Sequence, residues 1–269
     1  MTVMGAAVNI KQQGISTGQG YPYPSIAEKY ATTTLGSVKV FPNPAVEAES
    51  GWSSEIGVML NFKMGEFRGQ GDLSFFFSQN SDMIEYIFGV HQDPVSGLSD
   101  LGFKATNVEQ SRIYGGEVEI MLGRSFGEIM ASATGGYTYI YPVEYSSYTN
   151  QNTDIYLKYR KKHTGRLSLA VSSEKIDFGV DMYARSKTLN IDDVFLNPKT
   201  RDEILPGFYD YWLENNTAYF LMDGNIGYRL TNALKVSVAL KNITNTEYMG
   251  RPGDIRPHSN LSLRLSGRF

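Results

Sequence analysis

The sequence predicts an all-β protein: an antiparallel up-and-down meander of about ten strands, built like a transmembrane β-barrel but incomplete. Three observations predict it. Nine segments alternate apolar and polar residues at period two. The links between segments are short and long in strict alternation. The composition, with 18 Tyr, 14 Phe, 27 Gly and no Cys, suits strands and tight turns and excludes disulfides and thiolate metal sites.

The segments follow in order. Over 54–63 the apolar track is Ile56, Val58, Leu60 and Phe62, opposed by Glu55, Asn61 and Lys63. Over 69–79, Leu73, Phe75 and Phe77 oppose Asp72, Ser74 and Ser78. Val118, Ile120 and Leu122 oppose Glu117 and Glu119; over 127–141, Ile129, Ala131, Ala133, Tyr137, Tyr139 and Tyr141 oppose Ser132, Thr134 and Thr138. Leu167, Leu169 and Val171 come next, then Ile176, Phe178, Val180 and Met182, the latter against Asp177, Asp181 and Arg185. Phe220, Met222, Ile226 and Tyr228 precede Leu234, Val236, Val238 and Leu240, and the chain closes on Leu261, Leu263, Leu265, Gly267 and Phe269 against Arg264 and Arg268.

The apolar tracks carry no charge, whereas the opposite tracks carry Asp, Glu, Lys and Arg freely. A Lys or Arg facing lipid costs roughly 2–4 kcal/mol at the midplane, while a wet lumen accepts it. A soluble sandwich gives the same alternation, so periodicity alone does not separate the two. The links do. Tight ones are expected at 64–68, 123–126, 173–174 and 231–232, and long ones at 80–110, 142–157, 187–215 and 244–258. That places every tight turn at one end of a barrel and every long loop at the other, a regularity that Greek-key sandwiches lack.

Other classes find little support. No run approaches the ~18–20 apolar residues of a membrane helix, and a mean hydropathy of -0.28 is compatible with a barrel that shows alternate residues to lipid. The net charge of -3 makes no case for nucleic acid. Residues 1–11 lack a basic region ahead of an apolar core, so they make a poor signal peptide; the chain is expected to be cytosolic or a piece of a longer precursor. Phe62, Tyr137, Tyr139, Tyr141, Tyr156, Tyr159 and Tyr228 mark segment ends and suit interfacial girdles.

Each candidate site has a plainer reading beside it. Gly14-Ile-Ser-Thr-Gly18 spells a nucleophile elbow, but Pro22 and Pro24 follow it where a helix is required, so a loop is the better reading. His91, His163 and His258 lie too far apart for metal-ligand spacing, and Asp192-Asp193 and Asp202-Glu203 are acidic pairs without a complete ligand pattern. No metal, cofactor or catalytic residue is therefore expected. The most plausible recognition surface is aromatic: Tyr209, Tyr211 and Trp212, with Phe208, in one long loop, and Tyr148, with Tyr145 and Tyr156, in its neighbour. Such rings stack on a flat solute, or else pack among themselves. Arg251 and Arg256 suit an anionic ligand, though arginines in loops more often brace them.

Several stretches resemble the C-terminal half of TonB-dependent outer-membrane receptors. They are Gly18-Gln-Gly-Tyr-Pro-Tyr-Pro-Ser-Ile-Ala-Glu-Lys-Tyr30, Phe41-Pro-Asn-Pro-Ala-Val-Glu-Ala-Glu-Ser-Gly-Trp-Ser-Ser-Glu-Ile-Gly57, Asn107-Val-Glu-Gln-Ser-Arg-Ile-Tyr-Gly-Gly-Glu-Val-Glu119, and Asn242-Ile-Thr-Asn-Thr-Glu-Tyr248 with Arg251-Pro-Gly253. Each is loose alone; four in family order and spacing are specific. The resemblance implies residues 1–269 as the C-terminal portion of a 22-stranded barrel, with 1–17 a poorly matching N-terminal segment and the plug and N-terminal strands absent. Lys161-Lys162 departs from the family where a proline is expected.

The resemblance further implies bacterial outer-membrane localisation and TonB-energised uptake of a scarce solute such as a ferric siderophore or cobalamin. The implied partners are outer-membrane lipid, TonB through the missing plug, the small-molecule solute, and the barrel-assembly machinery. That machinery would read Leu263, Leu265, Gly267 and Phe269 as its signal. Two competitors stand beside this reading: a passive or structural outer-membrane barrel without plug-gated transport, and a soluble all-β binding domain.

Overall fold

A computed structural model describes residues 6–35, 38–93, 97–108, 110–146 and 148–267. In chain order the elements are β1 (Ala6–Gly20), α1 (Ile26–Tyr30), β2 (Thr33–Leu35), β3 (Val38–Phe41), β4 (Ser50–Met64), β5 (Phe67–Ser81), β6 (Ile84–Gln92), β7 (Ser99–Asn107) and β8 (Ser111–Phe126). There follow β9 (Ile129–Ser146), β10 (Gln151–Tyr156), β11 (His163–Ser172), β12 (Ile176–Arg185), a 3-10 turn (Asp193–Phe195), α2 (Arg201–Ile204), α3 (Phe208–Asn215), β13 (Tyr219–Arg229), β14 (Leu234–Lys241) and β15 (Asn260–Gly267). They divide into a wall and a lid.

The wall is one antiparallel meander in the order β1-β4-β5-β8-β9-β11-β12-β13-β14-β15, with β10 paired to β9 beside it. Among the described residues β1 and β15 have no second neighbour, so the sheet is open. The unclosed meander of about ten strands expected from the alternation is what forms. Register carries the pattern across it. Val8, Phe62, Gly69, Leu122, Ala133, Leu169, Val180, Gly224, Leu240 and Leu261 make one continuous row of partners, one from each strand and none of them charged or polar. One residue along lies the row of Lys63, Arg68, Ser132, Asn225 and Ser262 on the other face. With a pleat of period two, a one-residue slip in any of these pairings would turn a strand's apolar track to the other face.

Among the described residues no second sheet covers the apolar face. Ile56 is 53% exposed, Phe75 56% and Leu263 75%. A soluble sandwich buries those positions.

Two details of the wall differ from what the alternation predicts. Residues 6–20 form a full strand, β1, paired with β4 from Ala6 to Gly20. A register shift at Lys11 puts Val8 and Ile10 on the apolar face before it and Ile15 after it. The bulge reverses parity mid-strand, so the segment shows no continuous period of two. Likewise the turn expected at 123–126 falls at Gly127-Glu128. Gly127 there, like Gly65 in the Gly65-Glu66 turn, holds a left-handed φ of about +60° that a two-residue hairpin favours.

The lid is built from the long links. β2, β3, β7 and β6 form a second, four-stranded sheet in which β3 and β7 run parallel. A Cβ on Gly102 would collide with the Lys39 carbonyl oxygen, so the β3–β7 approach requires glycine there. The core of the molecule sits in the lid: Phe88 of β6 packs with Ile191, Phe195 and Phe208 from the 186–218 link. The 142–157 link also differs from expectation, because β9 runs on to Ser146 and returns as β10.

Candidate functional site

The wall's polar face carries its charges in neighbouring pairs. Arg166 pairs with Glu119, Lys235 and Arg229 share Asp177, and Lys241 holds Asp223 at 2.8 Å. Ser168 donates to Asp181 at 2.7 Å. Such groups persist on a face that water reaches, and partners in adjacent strands lower the cost of crowding them.

On β8 the apolar track is bounded by a cation at each end. On β8 the uncharged track of Tyr114, Gly116, Val118, Ile120 and Leu122 lies between Arg112 and Arg124. Arg112, at the loop end, lies over the Tyr145 and Phe77 rings at 3.8 and 5.5 Å. Arg124, at the turn end, lies over Phe126 and Phe67 at 4.2 and 5.1 Å and pairs with Glu66. Beside Arg112 the rings of Trp52, Phe77, Tyr114, Tyr141 and Tyr156 touch in sequence, at centroid separations from 4.9 to 6.4 Å. Tyr159, expected among the interfacial tyrosines, is instead in the lid, where its hydroxyl binds Asp192.

Three of the four family-like motifs tie strand ends to the links, and the first caps a helix. Asn43 donates to the Ala105 carbonyl, the Asn107 side chain bonds both the Glu47 amide and its carbonyl, and Glu49 accepts from the Ile84 amide. Ser25 and Glu28 close a capping box on α1. Asn242, left-handed at φ 49°, donates to the Thr246 and Pro257 carbonyls and accepts from the Thr246 amide, while its own amide donates to Asp223. These side chains replace backbone partners where the strands leave the sheet, so each position needs a short polar side chain of fixed reach.

Of the aromatic recognition residues expected from the sequence, the structure brings Tyr211 and Trp212 to one cavity and leaves the others apart. The cavity, of about 320 Å³, opens between the 186–218 and 242–259 links and is also lined by Lys161, Tyr219, Glu247 and Tyr248. Burial, and then a hydrogen bond to Glu247, push the Tyr211 phenol up to about 12. Burial, and then the charge of Arg185, hold Lys161 below the usual lysine range. Tyr209 does not line the cavity and lies under the Arg201 guanidinium, 3.9 Å away. Tyr148 stands 98% exposed at the β9–β10 tip. Phe208 is in the lid core.

The remaining sequence candidates sit as follows. Leu263 and Leu265 lie on the apolar face of β15, and Gly267 ends that strand; Phe269 lies outside the described residues. Arg251 braces the Tyr159 ring at 4.9 Å and Arg256 pairs with Asp254. Asp192 is buried against Lys158 and Tyr159, and Asp202 faces Arg201. Gly14–Gly18 lies within β1. Among the described residues no group of three His, Asp or Glu side chains is placed to hold a metal ion. The cavity residues Lys161, Tyr219 and Glu247 are not predicted as site residues by the sequence; only Glu247-Tyr248, inside the last motif, carries a signal.

Comparison with known proteins agrees with this architecture. The family described as TonB dependent receptor-like, β-barrel matches residues 13–243. No curated protein matches the chain. Among solved structures it is similar to the pyoverdine outer membrane receptor FpvA from Pseudomonas aeruginosa PAO1, at a TM-score of 0.58 and 16% identity, covering 98% of this chain and 34% of that one. It is similar to the copper transporter OprC at 0.57 and 15%, covering 100% and 38%. The siderophore receptor PirA from Acinetobacter baumannii matches at 0.56 and 13%, covering 95% and 38%. The chain thus spans little more than a third of the length of these neighbours, and identities this low speak for the fold alone.

Proposed function

The chain belongs to the TonB-dependent receptor-like β-barrel family, and from that premise we propose that it forms the C-terminal part of the barrel wall of an outer-membrane receptor. The receptor takes up a scarce solute, a ferric siderophore or cobalamin, by TonB-energised transport, and no chemistry on the solute is needed. The observation that carries this reading is the uncharged track of β8 between Arg112 and Arg124. At about 3.3 Å per residue it runs roughly 40 Å. Tilted by about 40°, it spans roughly 30 Å, the thickness of bilayer hydrocarbon. The apolar face then meets lipid, the polar face lines a lumen, tight turns are periplasmic and the lid is extracellular.

In this reading the solute meets the lid first. Tyr211 and Trp212 supply aromatic surface at the cavity and Lys161 a cation beside it; Tyr209 and the exposed Tyr148 offer further rings to a solute approaching from outside. Energised passage requires a plug pulled through TonB, which the rest of such a receptor supplies. Leu263, Leu265, Gly267 and Phe269 serve the barrel-assembly machinery as the closing-strand signal. The test is uptake of radiolabelled ferric siderophores and cobalamin by cells with and without the gene. Loss of one uptake, reproduced by deleting TonB, supports the proposal; unchanged uptake of every solute under iron and cobalamin limitation defeats it.

A further inference from the structure

The cavity between the 186–218 and 242–259 links holds two opposite charges with aromatic rings between them. On one side stands Lys161, half-buried, its ammonium donating to the Thr188 hydroxyl at 2.8 Å and lying 5.2 Å from the Tyr219 ring centre. Thr188 is itself clamped by the Asn216 side chain, which bonds its amide and its carbonyl at 2.9 and 3.0 Å. On the other side Glu247 accepts from the Tyr211 hydroxyl and lies 3.9 Å from His258. Tyr219 stacks on Tyr248, the neighbour of Glu247 in the chain, at 5.0 Å, and so links the two sides. Among the described residues Lys161 is paired neither with Glu247 nor with any other acid. Arg185, whose charge is felt at Lys161, adds a second positive charge there.

Resting on the reading of this cavity as the place where the solute is met, we propose that it takes a free α-amino acid group with an apolar or aromatic side chain. Two opposite charges that are held in one cavity without pairing match a ligand that carries both. The ligand's carboxylate meets Lys161 and its ammonium meets Glu247, each through a charge-assisted hydrogen bond. Glu247 has the capacity, since a carboxylate offers about four lone-pair sites. The side chain lies against the rings of Tyr219, Tyr248 and Trp212. Burial and Arg185 disfavour the charge on Lys161, and a carboxylate seated beside it offsets both. A plain anion would leave Glu247 facing like charge, and a plain cation would meet Lys161 and Arg185. The volume of about 320 Å³ is at the low end for ligand pockets, which suits a group of amino-acid size.

The experiment uses the intact receptor, purified in a neutral detergent and titrated by calorimetry with phenylalanine, N-acetylphenylalanine and phenylalaninamide. Phenylalanine is expected to bind, and each blocked derivative to bind roughly tenfold more weakly, the loss of one charged hydrogen bond. The variants should cross-match. Lys161→Gln should bind phenylalanine and its amide alike, and Glu247→Gln should bind phenylalanine and its N-acetyl derivative alike. The comparison of the three probes on the unaltered receptor stands without either variant. Absence of phenylalanine binding, equal binding of all three probes, or variants that weaken every probe by the same factor would overturn the proposal. The transport reading fails separately: its failure is unchanged cellular uptake of every solute, whichever of the three probes the purified receptor prefers.

Discussion

The wall and the lid use the same apolar residues in opposite ways. In the wall Leu263 is 75% exposed and Phe75 56%, whereas in the lid Ile191 is 1% exposed and Phe195 and Phe208 are buried against Phe88. One region leaves its apolar surface uncovered, as the proposed membrane setting allows; the other removes it from water by packing segments on one another. The lid therefore depends on shape, and the wall on the absence of charge along one face.

The largest effect should come from breaking the lid's packing. Phe195→Ala is expected to cost about 3–5 kcal/mol locally, as truncating a buried Phe does. Limited proteolysis should then cut within 186–218 while the wall keeps its heat-modifiable mobility on gels; cleavage confined to the wall would refute the division. Next is Leu167→Arg, on the apolar face of β11, expected to cost roughly 2–4 kcal/mol at the midplane. Its neighbour Ser168→Arg, on the polar face, should be tolerated. Urea titration of both variants refolded in vesicles decides: equal destabilisation would erase the distinction between the faces.

The seam gives a smaller effect. Asn242→Ala removes the side-chain bonds to the Thr246 and Pro257 carbonyls and the Thr246 amide, and puts alanine at φ 49°. A loss of about 1–3 kcal/mol is expected, read as faster hydrogen exchange across 242–259 with the β13–β14 amides unmoved. The smallest effect is a pH dependence. The Tyr211 phenol is raised from 10.0 to about 12, so the folded lid holds a proton that the unfolded chain has released. Its stabilising contribution is complete below pH 10 and is lost as pH rises towards 12. Tyr211→Phe should flatten the loosening of the lid across that window; an unaltered profile would place the titration elsewhere.

Part of the candidate site is legible in the sequence. Tyr211 and Trp212 stand out as aromatic residues in a long link, and they do line the cavity. Lys161 and Tyr219 do not stand out, because they reach it from the ends of β11 and β13 and no local pattern joins them. Tyr159 has the composition of an interfacial residue, and only the burial of Asp192 beside it draws it into the lid. Arg112 and Arg124 are hidden for a different reason: they lie just past the ends of an apolar track, where alternation of apolar residues no longer marks the strand.

What the sequence alone determined is the wall. Alternation is a property of two neighbouring residues, imposed by the pleat, so it can be followed along each strand without knowing its partner. The links between strands then fix which end is which. Tertiary structure alone decided three things: the parity reversal at Lys11, the parallel β3–β7 pairing, and the meeting of Phe88 with residues a hundred positions later. Each depends on contact between segments remote in the chain, and the short lid elements are too brief to show a period of their own.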